Sequence, residues 1–383
     1  MAKASALQPP REFPTSQWKQ ALARRLSAWY RRHRRDLPWR RTSDPYRIWV
    51  SEIMLQQTQV ATVEPYFNRF VAAFPTARAL AEADEHEVLR LWEGLGYYRR
   101  ARQMHRAARI IVDDHGGVFP RKMADVGRLP GIGRYTAGAI VSIAYDQPAP
   151  ILEANTIRLL SRLVAYAGDL SSSSGQKDLW RLAEAIVPRR NCGRFNQALM
   201  ELGSLVCTPK RPACADCPLS ELCAAFAQGR QEQIPKQKAK PHVEAVREAA
   251  VVAWHRGKVF VRRRTTGERW AGLWDFLRFP LSARGSEATR WELVQKARQQ
   301  SGLSLEKLDR IATLKHGVTR FRITLDCYQA TCRGHKSTLP SGEWRWIEPA
   351  ALEQLALSVT GRKLSRLLMA NFVGINGKRN NGQ

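Results

Sequence analysis

From residue 17 to about residue 230 the apolar positions recur at helical spacing almost without a break. Trp18, Leu22, Leu26 and Trp29-Tyr30 form one such face, followed by the basic cluster Arg31-Arg32-His33-Arg34-Arg35. Asp44-Pro45 is a helix start, a capping carboxylate followed by proline at the first helical position. The helix it opens carries Ile48, Trp49, Glu52 and Leu55-Gln56, so Glu52 shares a face with apolar neighbours one turn away on either side. Gly94-Leu95-Gly96-Tyr97-Tyr98-Arg99-Arg100 reads as a loop leading into another helix. Leu129-Pro130-Gly131-Ile132-Gly133-Arg134-Tyr135-Thr136-Ala137-Gly138 reads as a helix end, a hairpin with two glycines, and a new helix from near Arg134. Residues 231–246 are polar and lysine-rich with two prolines, the composition of a linker. Beyond them the period changes to two. Ala249–Trp254 and Val259–Val261 read as strands joined by the His255-Arg256-Gly257-Lys258 turn, and Phe321–Cys327 alternates as a half-buried strand should. A helix over Trp291–Gln300 makes this second part α+β, and no internal repeat is visible. Residues 1–16, with three prolines and no periodicity, are expected to form a mobile tail, and 374–383 a disordered one.

A chain of 383 residues exceeds one ordinary core, which agrees with the change of period in requiring two domains. Sixty-two Lys+Arg against 34 Asp+Glu give a net charge of +28, a field that favours polyanions because each cation set against a phosphate releases a condensed counterion. No apolar run approaches the ~20 residues that span a bilayer, and the N-terminus lacks the apolar core of a signal peptide. A soluble, intracellular protein with no membrane partner is expected. On so basic a chain the glycine hairpin acquires a second meaning beyond a tight turn. The free N–H groups and the positive dipole end of the helix after Gly133 make a phosphate site, with Gly131, Gly133 and Thr136 as its contacts.

Seven cysteines, four of them crowded together, point to metal ligation rather than a disulfide framework. Cys207-x6-Cys214-x2-Cys217-x5-Cys223 can converge on one centre, either tetrahedral zinc or a cubane [4Fe-4S] cluster. Zinc sites usually pair cysteines as two close knuckles, whereas this uneven spacing leaves a single close pair. The pattern resembles the iron–sulfur loop of the endonuclease III superfamily of DNA glycosylases, in which a helix-hairpin-helix precedes a catalytic acid by about twenty residues and the cluster closes the domain. All three features occur here in that order. Leu37-Pro38-Trp39-Arg40, Ser51-Glu52-Ile53-Met54-Leu55-Gln56-Gln57-Thr58-Gln59 and Gly94-Leu95-Gly96-Tyr97-Tyr98 are similar to the adenine DNA glycosylase (MutY) branch. The resemblance implies a mainly α helix-hairpin-helix glycosylase domain with one [4Fe-4S] cluster on Cys207, Cys214, Cys217 and Cys223. It implies an enzyme that flips adenine out of A:8-oxoguanine or A:G mispairs in double-stranded DNA and cleaves its N-glycosidic bond. The remaining cysteines, Cys192, Cys327 and Cys332, read as small core residues.

That reaction needs an acid to protonate the leaving base and a carboxylate to stabilise the oxocarbenium-like sugar. Glu52 suits the acid, because apolar neighbours disfavour its ionised form. The second carboxylate departs from the family. Where the pattern is aspartate, glycine, asparagine, this chain has Glu153, Ala154 and Asn155. A glutamate carries its carboxylate one methylene, roughly 1.5 Å, further from the backbone. The expectation is that Glu153 still performs the aspartate's task, with Asn155 positioning; impaired catalysis is the competing reading. Tyr135 stands where the strand-cleaving branch has a Schiff-base lysine, and a phenol cannot form that imine, so the resemblance implies a monofunctional glycosylase. Gln57 is assigned to DNA contact, and Tyr97 and Tyr98 are candidate wedges into the base stack, one of the pair being expected to pack in the core.

Trp270-Ala271-Gly272-Leu273-Trp274-Asp275-Phe276 resembles the family's C-terminal α+β domain, which is similar to Nudix hydrolases and recognises 8-oxoguanine. The magnesium box of an active Nudix enzyme is missing: Gln295 replaces its arginine, and Lys296, Gln299 and Gln300 replace its carboxylates. The lesion-reading run is His316-Gly317-Val318-Thr319-Arg320, in which valine and arginine replace the family's phenylalanine and histidine around a retained hydroxyl. His316, Thr319 and Arg320 are assigned to DNA contact, with a weaker preference for the oxidised base open. The expected organisation is a glycosylase domain over 17–230, with the hairpin at 129–138 and the cluster loop at 207–223, then the linker and a recognition domain over 247–373. A bacterial, cytoplasmic, nucleoid-associated monomer is the expected form. The rival readings are a mismatch thymine or uracil glycosylase and a protein that binds mismatches without cleaving.

Overall fold

The computed structural model describes residues 14–236, 242–333 and 343–379. They group into two compact units, Met1–Glu82 with Gln103–Ala239, and Ala83–Arg102 with Lys240–Gln383. In chain order the helices are α1 (Ser16–His33), α2 (Pro45–Leu55), α3 (Val60–Ala73), α4 (Ala77–Glu82), α5 (Glu85–Leu91) and α6 (Arg99–His115). Helices α7 (Met123–Arg128) and α8 (Arg134–Tyr145) flank the glycine hairpin. After them come α9 (Ala154–Leu163), α10 (Ser173–Ile186), α11 (Cys192–Leu205) and the single turn α12 (Ala224–Ala227). No helix among the described residues is long and apolar enough to cross a membrane.

The helical periodicity becomes the core of the first unit. Leu22, Leu26, Trp29 and Tyr30 of α1 meet Leu159, Leu160 and Leu163 of α9, Leu179 and Ile186 of α10, and Phe195, Leu199 and Leu202 of α11. Each such side chain contributes about 1.5–3 kcal/mol on leaving water. At the start of α2 the Asp44 carboxylate accepts from Tyr46 N at 2.9 Å, with Pro45 in the first turn. Two glycines set where the second carboxylate emerges. A Cβ on Gly138 of α8 would lie 2.3 Å from the Pro150 carbonyl oxygen, and one on Gly203 of α11 would lie 2.9 Å from Asn155. The segment leading to Glu153 is thus laid directly on helix backbone. Gly138→Ala is expected to destabilise the protein by about 1–3 kcal/mol, as overpacking does, and to slow catalysis by displacing Glu153; thermal melts and rate measurements check both.

In the second unit a sheet is formed by β1 (Glu244–His255), β2 (Lys258–Arg263), β3 (Trp274–Asp275), β4 (Leu277–Pro280), β5 (Leu305–Val318), β6 (Phe321–Cys332) and β7 (Trp344–Ile347). Its order is β3-β2-β1-β6-β5, with β4 added to β1 and β7 to β2, and β1 and β6 run parallel. Arg256-Gly257 turns the β1–β2 hairpin with both φ positive (47° and 77°), matching the twist of the strands. Alternation along β6 sends Leu325 and Cys327 to the face covered by α14 (Val359–Arg379), and Tyr328 and Ala330 to the face covered by α13 (Ser286–Ser301).

The boundaries differ from the sequence reading in several places. Thr15 caps α1, so the helix begins at Ser16, inside the expected tail; residues 1–13 lie outside the described residues. Ile234, expected in the linker, is buried, and its carbonyl accepts from Arg162 Nε at 2.8 Å. Glu244 already belongs to β1, and 237–241 lie outside the described residues. The expected C-terminal tail is helical as far as Arg379, with 380–383 outside the described residues. Most consequential, Ala83–Arg102 groups with the second unit although it lies within the expected glycosylase span.

Candidate active site

Helices α2, α8, α9 and α11 enclose a cavity of about 760 Å³, lined among others by Glu52, Gln56, Gln57, Tyr135, Glu153, Asn155 and Met200. That is within the size range of small-molecule and base pockets, ~300–1,000 Å³. Glu52 rises from the middle of α2 and is 6% exposed. Its Oε2 accepts a hydrogen bond from Tyr135 Oη at 2.7 Å, and the same hydroxyl lies 3.2 Å from Met200 Sδ. Burial pushes the Glu52 carboxyl up to about 7, with the Glu153 charge adding to the rise while the Tyr135 hydrogen bond and Arg40 oppose it. Burial also holds the Tyr135 phenol far above its ordinary range, so it stays a neutral donor.

Glu153 has a different environment. It is the N-cap of α9, where Oε2 accepts from Asn155 N at 2.9 Å and Asn155 Nδ2 at 3.3 Å, and Oε1 accepts from Thr156 N at 2.9 Å. Thr156 Oγ1 accepts in return from Glu153 N at 2.7 Å, which closes a capping box with the usual residue types exchanged. Burial raises the Glu153 carboxyl, and the two backbone amides, Arg158 and the Asn155 side chain act against that rise. The extra methylene of glutamate is accommodated by the cap, which ties the carboxylate back onto its own helix start. Arg158 supports it from behind, donating to Asn155 Oδ1 at 2.9 Å and to the carbonyls of Gly203 and Cys207, both at 2.6 Å.

The wall of the cavity contains a group that sequence reasoning missed. Glu201 of α11 is fully buried and takes hydrogen bonds from Arg35 N, Nε and Nη2 and from Arg40 Nη1 and Nη2, at 2.6–3.0 Å. Despite burial, these donors bring its carboxyl down to about 2. The anion and its two guanidiniums present fixed polar edges to anything in the cavity. One signal was available: an acidic residue inside the apolar run Ala198-Leu199-Met200-Glu201-Leu202 requires a buried partner.

The other expected contacts fall in several places. Gly131 has φ of 82°, and no side chain caps α8 beyond Gly133, which leaves the first-turn amides directed outward. Thr136 is buried and accepts from Gln56 Nε2 at 3.4 Å, so its side chain is structural rather than a surface contact. Gln57 stands in the left-handed region at φ 57°. In the second unit Tyr97 is 47% exposed, whereas Tyr98 is buried with its hydroxyl accepting from Gly94 N at 3.4 Å, so of the pair only Tyr97 is open to solvent. Thr319 and Arg320 form the exposed two-residue turn between β5 and β6, Thr319 at φ 51°. His316 is half-buried, with Nε2 3.3 Å from Arg278 Nη2; burial and Arg278 bring its imidazole down to about 4. On α13 Lys296 donates to the Pro280 carbonyl and to Glu292, both at 2.6 Å, where a Nudix hydrolase would hold a metal-binding acid.

Cys207, Cys214, Cys217 and Cys223 line one small cavity beneath α9, together with Leu159 and Arg162. Among the described residues no three potential ligands converge on the position of a single ion. Burial, with added repulsion from its neighbours, pushes the Cys217 thiol up to about 12, and Cys214 and Cys223 are raised likewise. Such thiols become thiolates only against a cationic centre. Arg162 donates to Cys207 Sγ at 3.2 Å, and the donor set fits the cluster. Cys192, Cys327 and Cys332 are buried.

Residues 50–185 match the HhH-GPD superfamily of base excision DNA repair proteins, residues 207–223 the iron–sulfur binding domain of endonuclease III, and residues 249–367 the NUDIX domain. The adenine DNA glycosylase of Rattus norvegicus is 34% identical over 402 residues, covering 91% of this chain and 78% of that protein. That of Buchnera aphidicola subsp. Schizaphis graminum is 38% identical over 252 residues, covering 66% and 73%. Among solved structures, a thermostable thymine-DNA glycosylase superposes with a TM-score of 0.51 at 29% identity, covering 56% of this chain and 99% of that one.

Proposed function

The chain belongs to the adenine DNA glycosylase family, and we propose that it is a monofunctional enzyme whose chemistry is carried by Glu52, Glu153 and Tyr135. It removes adenine from DNA in base excision repair, and the mispairs it acts on are A:8-oxoguanine and A:G. The observation that carries the assignment of residues is the pairing of two carboxylates in one cavity, one desolvated and held near neutrality, the other anchored as a helix cap. Environments that separate two carboxyls in this way mark an acid and a charge stabiliser.

The adenine occupies the cavity against the Arg35–Glu201–Arg40 group. Glu52, protonated, gives its proton to a ring nitrogen of the base, the C1′–N9 bond breaks with its electron pair going to the base, and positive charge develops on the sugar. Glu153 meets that charge with a carboxylate already oriented by Asn155 N and Thr156 N. A water then adds to C1′ and loses a proton to the Glu52 carboxylate, which restores the acid. Tyr135 holds Glu52 in place through the 2.7 Å hydrogen bond and offers no amine for strand cleavage. Cys207, Cys214, Cys217 and Cys223 hold the [4Fe-4S] cluster, whose contribution when bound is to tie the 207–223 loop beneath α9. The amides beyond Gly131 and Gly133 take a DNA phosphate, and the second unit reads the opposite base through Thr319 and Arg320. We place the protein in the bacterial cytoplasm on the nucleoid, acting as a monomer.

The test is single-turnover adenine release from duplexes with A opposite 8-oxoguanine, G or T, beside duplexes carrying mispaired thymine or uracil. Release should be fastest opposite 8-oxoguanine, strand breaks should appear only after alkali, and borohydride should trap no protein–DNA adduct. Release of thymine or uracil in preference to adenine, binding without any release, or a trapped adduct would each overturn the reading.

A further inference from the structure

The segment Ala83–Arg102 interrupts the helical unit in sequence but packs as part of the second unit. Its attachment is specific. Gly272, at φ 86°, lies close against it: a Cβ there would be 3.2 Å from Leu89 Cδ1. His86 Nε2 lies 3.0 Å from the Gln354 carbonyl. Glu93, two residues beyond the end of α5, accepts from Arg362 Nε at 2.6 Å, Arg362 Nη2 at 2.9 Å and Leu357 N at 3.1 Å. Arg362, in the first turn of α14, also donates to the Leu352 carbonyl at 2.9 Å and the Leu355 carbonyl at 2.6 Å. Both side chains are about 15% exposed, so this is a fork-to-carboxylate pair largely withdrawn from water.

Immediately after Glu93 the chain enters the loop that ends in Tyr97. Gly94 and Gly96 are left-handed, and Tyr97 itself stands at φ 48°, a conformation that an aromatic residue holds only when its surroundings impose it. Trp92 Nε1 donates to the Gly96 carbonyl at 3.1 Å, and Arg100 Nη2 lies 3.3 Å from the carbonyls of both Leu95 and Gly96. The far side of the loop is therefore held by its own helix, and the near side by Glu93.

We propose that Arg362 is a positioning residue for base extrusion: through Glu93 the C-terminal part of the chain holds Tyr97 in the strained, exposed conformation that enters the DNA stack. The proposal rests on the reading of Tyr97 as the wedge. It gives the C-terminal unit a task separate from reading the lesion, because a wedge acts on stacking whatever base lies opposite. Losing Arg362 should thus slow A:8-oxoguanine and A:G duplexes by the same factor, whereas losing a lesion contact would slow the first alone.

Single-turnover release by the full-length, cluster-loaded protein tests this with Arg362→Met, Tyr97→Ala and the two combined. A paired Glu93→Met/Arg362→Met variant removes both charges and leaves neither buried alone. Circular dichroism at the assay temperature establishes that each variant is folded. Arg362→Met and the paired variant should lose about tenfold on both duplexes, a fraction of what a misplacement of ~1 Å can cost, and Arg362→Met should add nothing once Tyr97 is alanine. Full additivity with Tyr97→Ala, or loss confined to the 8-oxoguanine duplex, would overturn the proposal. A native rate for Tyr97→Ala would instead overturn the wedge reading beneath it, and the two failures are thereby distinguished.

Discussion

Glu52→Gln should lower single-turnover adenine release by about a thousandfold or more while duplex binding stays near native, general acid catalysis and water activation both being lost. Glutamine keeps the shape of the side chain and can still accept from the Tyr135 hydroxyl, but it has no proton to give. In the native protein the acid is held at about 7 by burial, so the rate should fall as pH rises through 7. On the acid side it should fall as Glu153 takes up a proton, above the usual carboxylate range because burial raises it. The same shift makes a stability prediction of opposite benefit. Between about 4.5 and 7 the folded chain keeps a proton on Glu52 that the unfolded chain has released, so stability declines as pH rises through that window. By pH 8 the decline amounts to as much as about 3 kcal/mol. Glu52→Gln should remove this slope, leaving a variant inactive but more stable than the native protein above pH 7. Denaturant unfolding at pH 5 and pH 8 measures it; an equal native-to-variant difference at both would show that Glu52 ionises normally.

Glu153→Gln should cost about a hundred- to a thousandfold in release, the usual loss when a group facing developing charge is neutralised. Stability should fall by about 1–3 kcal/mol, since the amide keeps one acceptor oxygen and turns its NH2 toward an α9 donor that the other oxygen had satisfied. Glu153→Asp is the informative companion. Aspartate caps a helix at least as well as glutamate, and its shorter side chain can set a carboxylate on the same α9 amides. The two oxygens of Glu153 are fully engaged by Asn155 N, Asn155 Nδ2 and Thr156 N, which means that the longer side chain folds back onto the cap rather than projecting further into the cavity. The expected result is that Glu153→Asp stays within about threefold of native, the substituted carboxylate meeting the same charge. A gain of tenfold or more would show that glutamate at this position impairs the enzyme.

Much of the site was legible because its parts are local. The capping signal at Asp44-Pro45, the glycines of the 129–138 hairpin and the spacing of Cys207, Cys214, Cys217 and Cys223 each depend on neighbours within a turn or a loop. The apolar flanks of Glu52 in α2 pointed to a desolvated carboxyl for the same reason. Other features were not legible, because nothing nearby in the chain carries them. Arg35 and Arg40 meet Glu201 across more than 160 positions. Thr136, expected at the DNA surface, is buried and meets Gln56 across 80 positions.

The amino-acid sequence by itself determined the class of fold, the order of the elements, the cysteine loop and the carboxyl proposed as the acid, since periodicity, caps and ligand spacing act over a few residues. Only the tertiary structure decided that Glu153 is bound as a helix cap, that Glu201 sits between two arginines, and that Ala83–Arg102 is held by Glu93 and Arg362. Each of these depends on which distant groups are brought together away from water. There an unpaired charge is costly, and the choice of partner belongs to the packed chain as a whole.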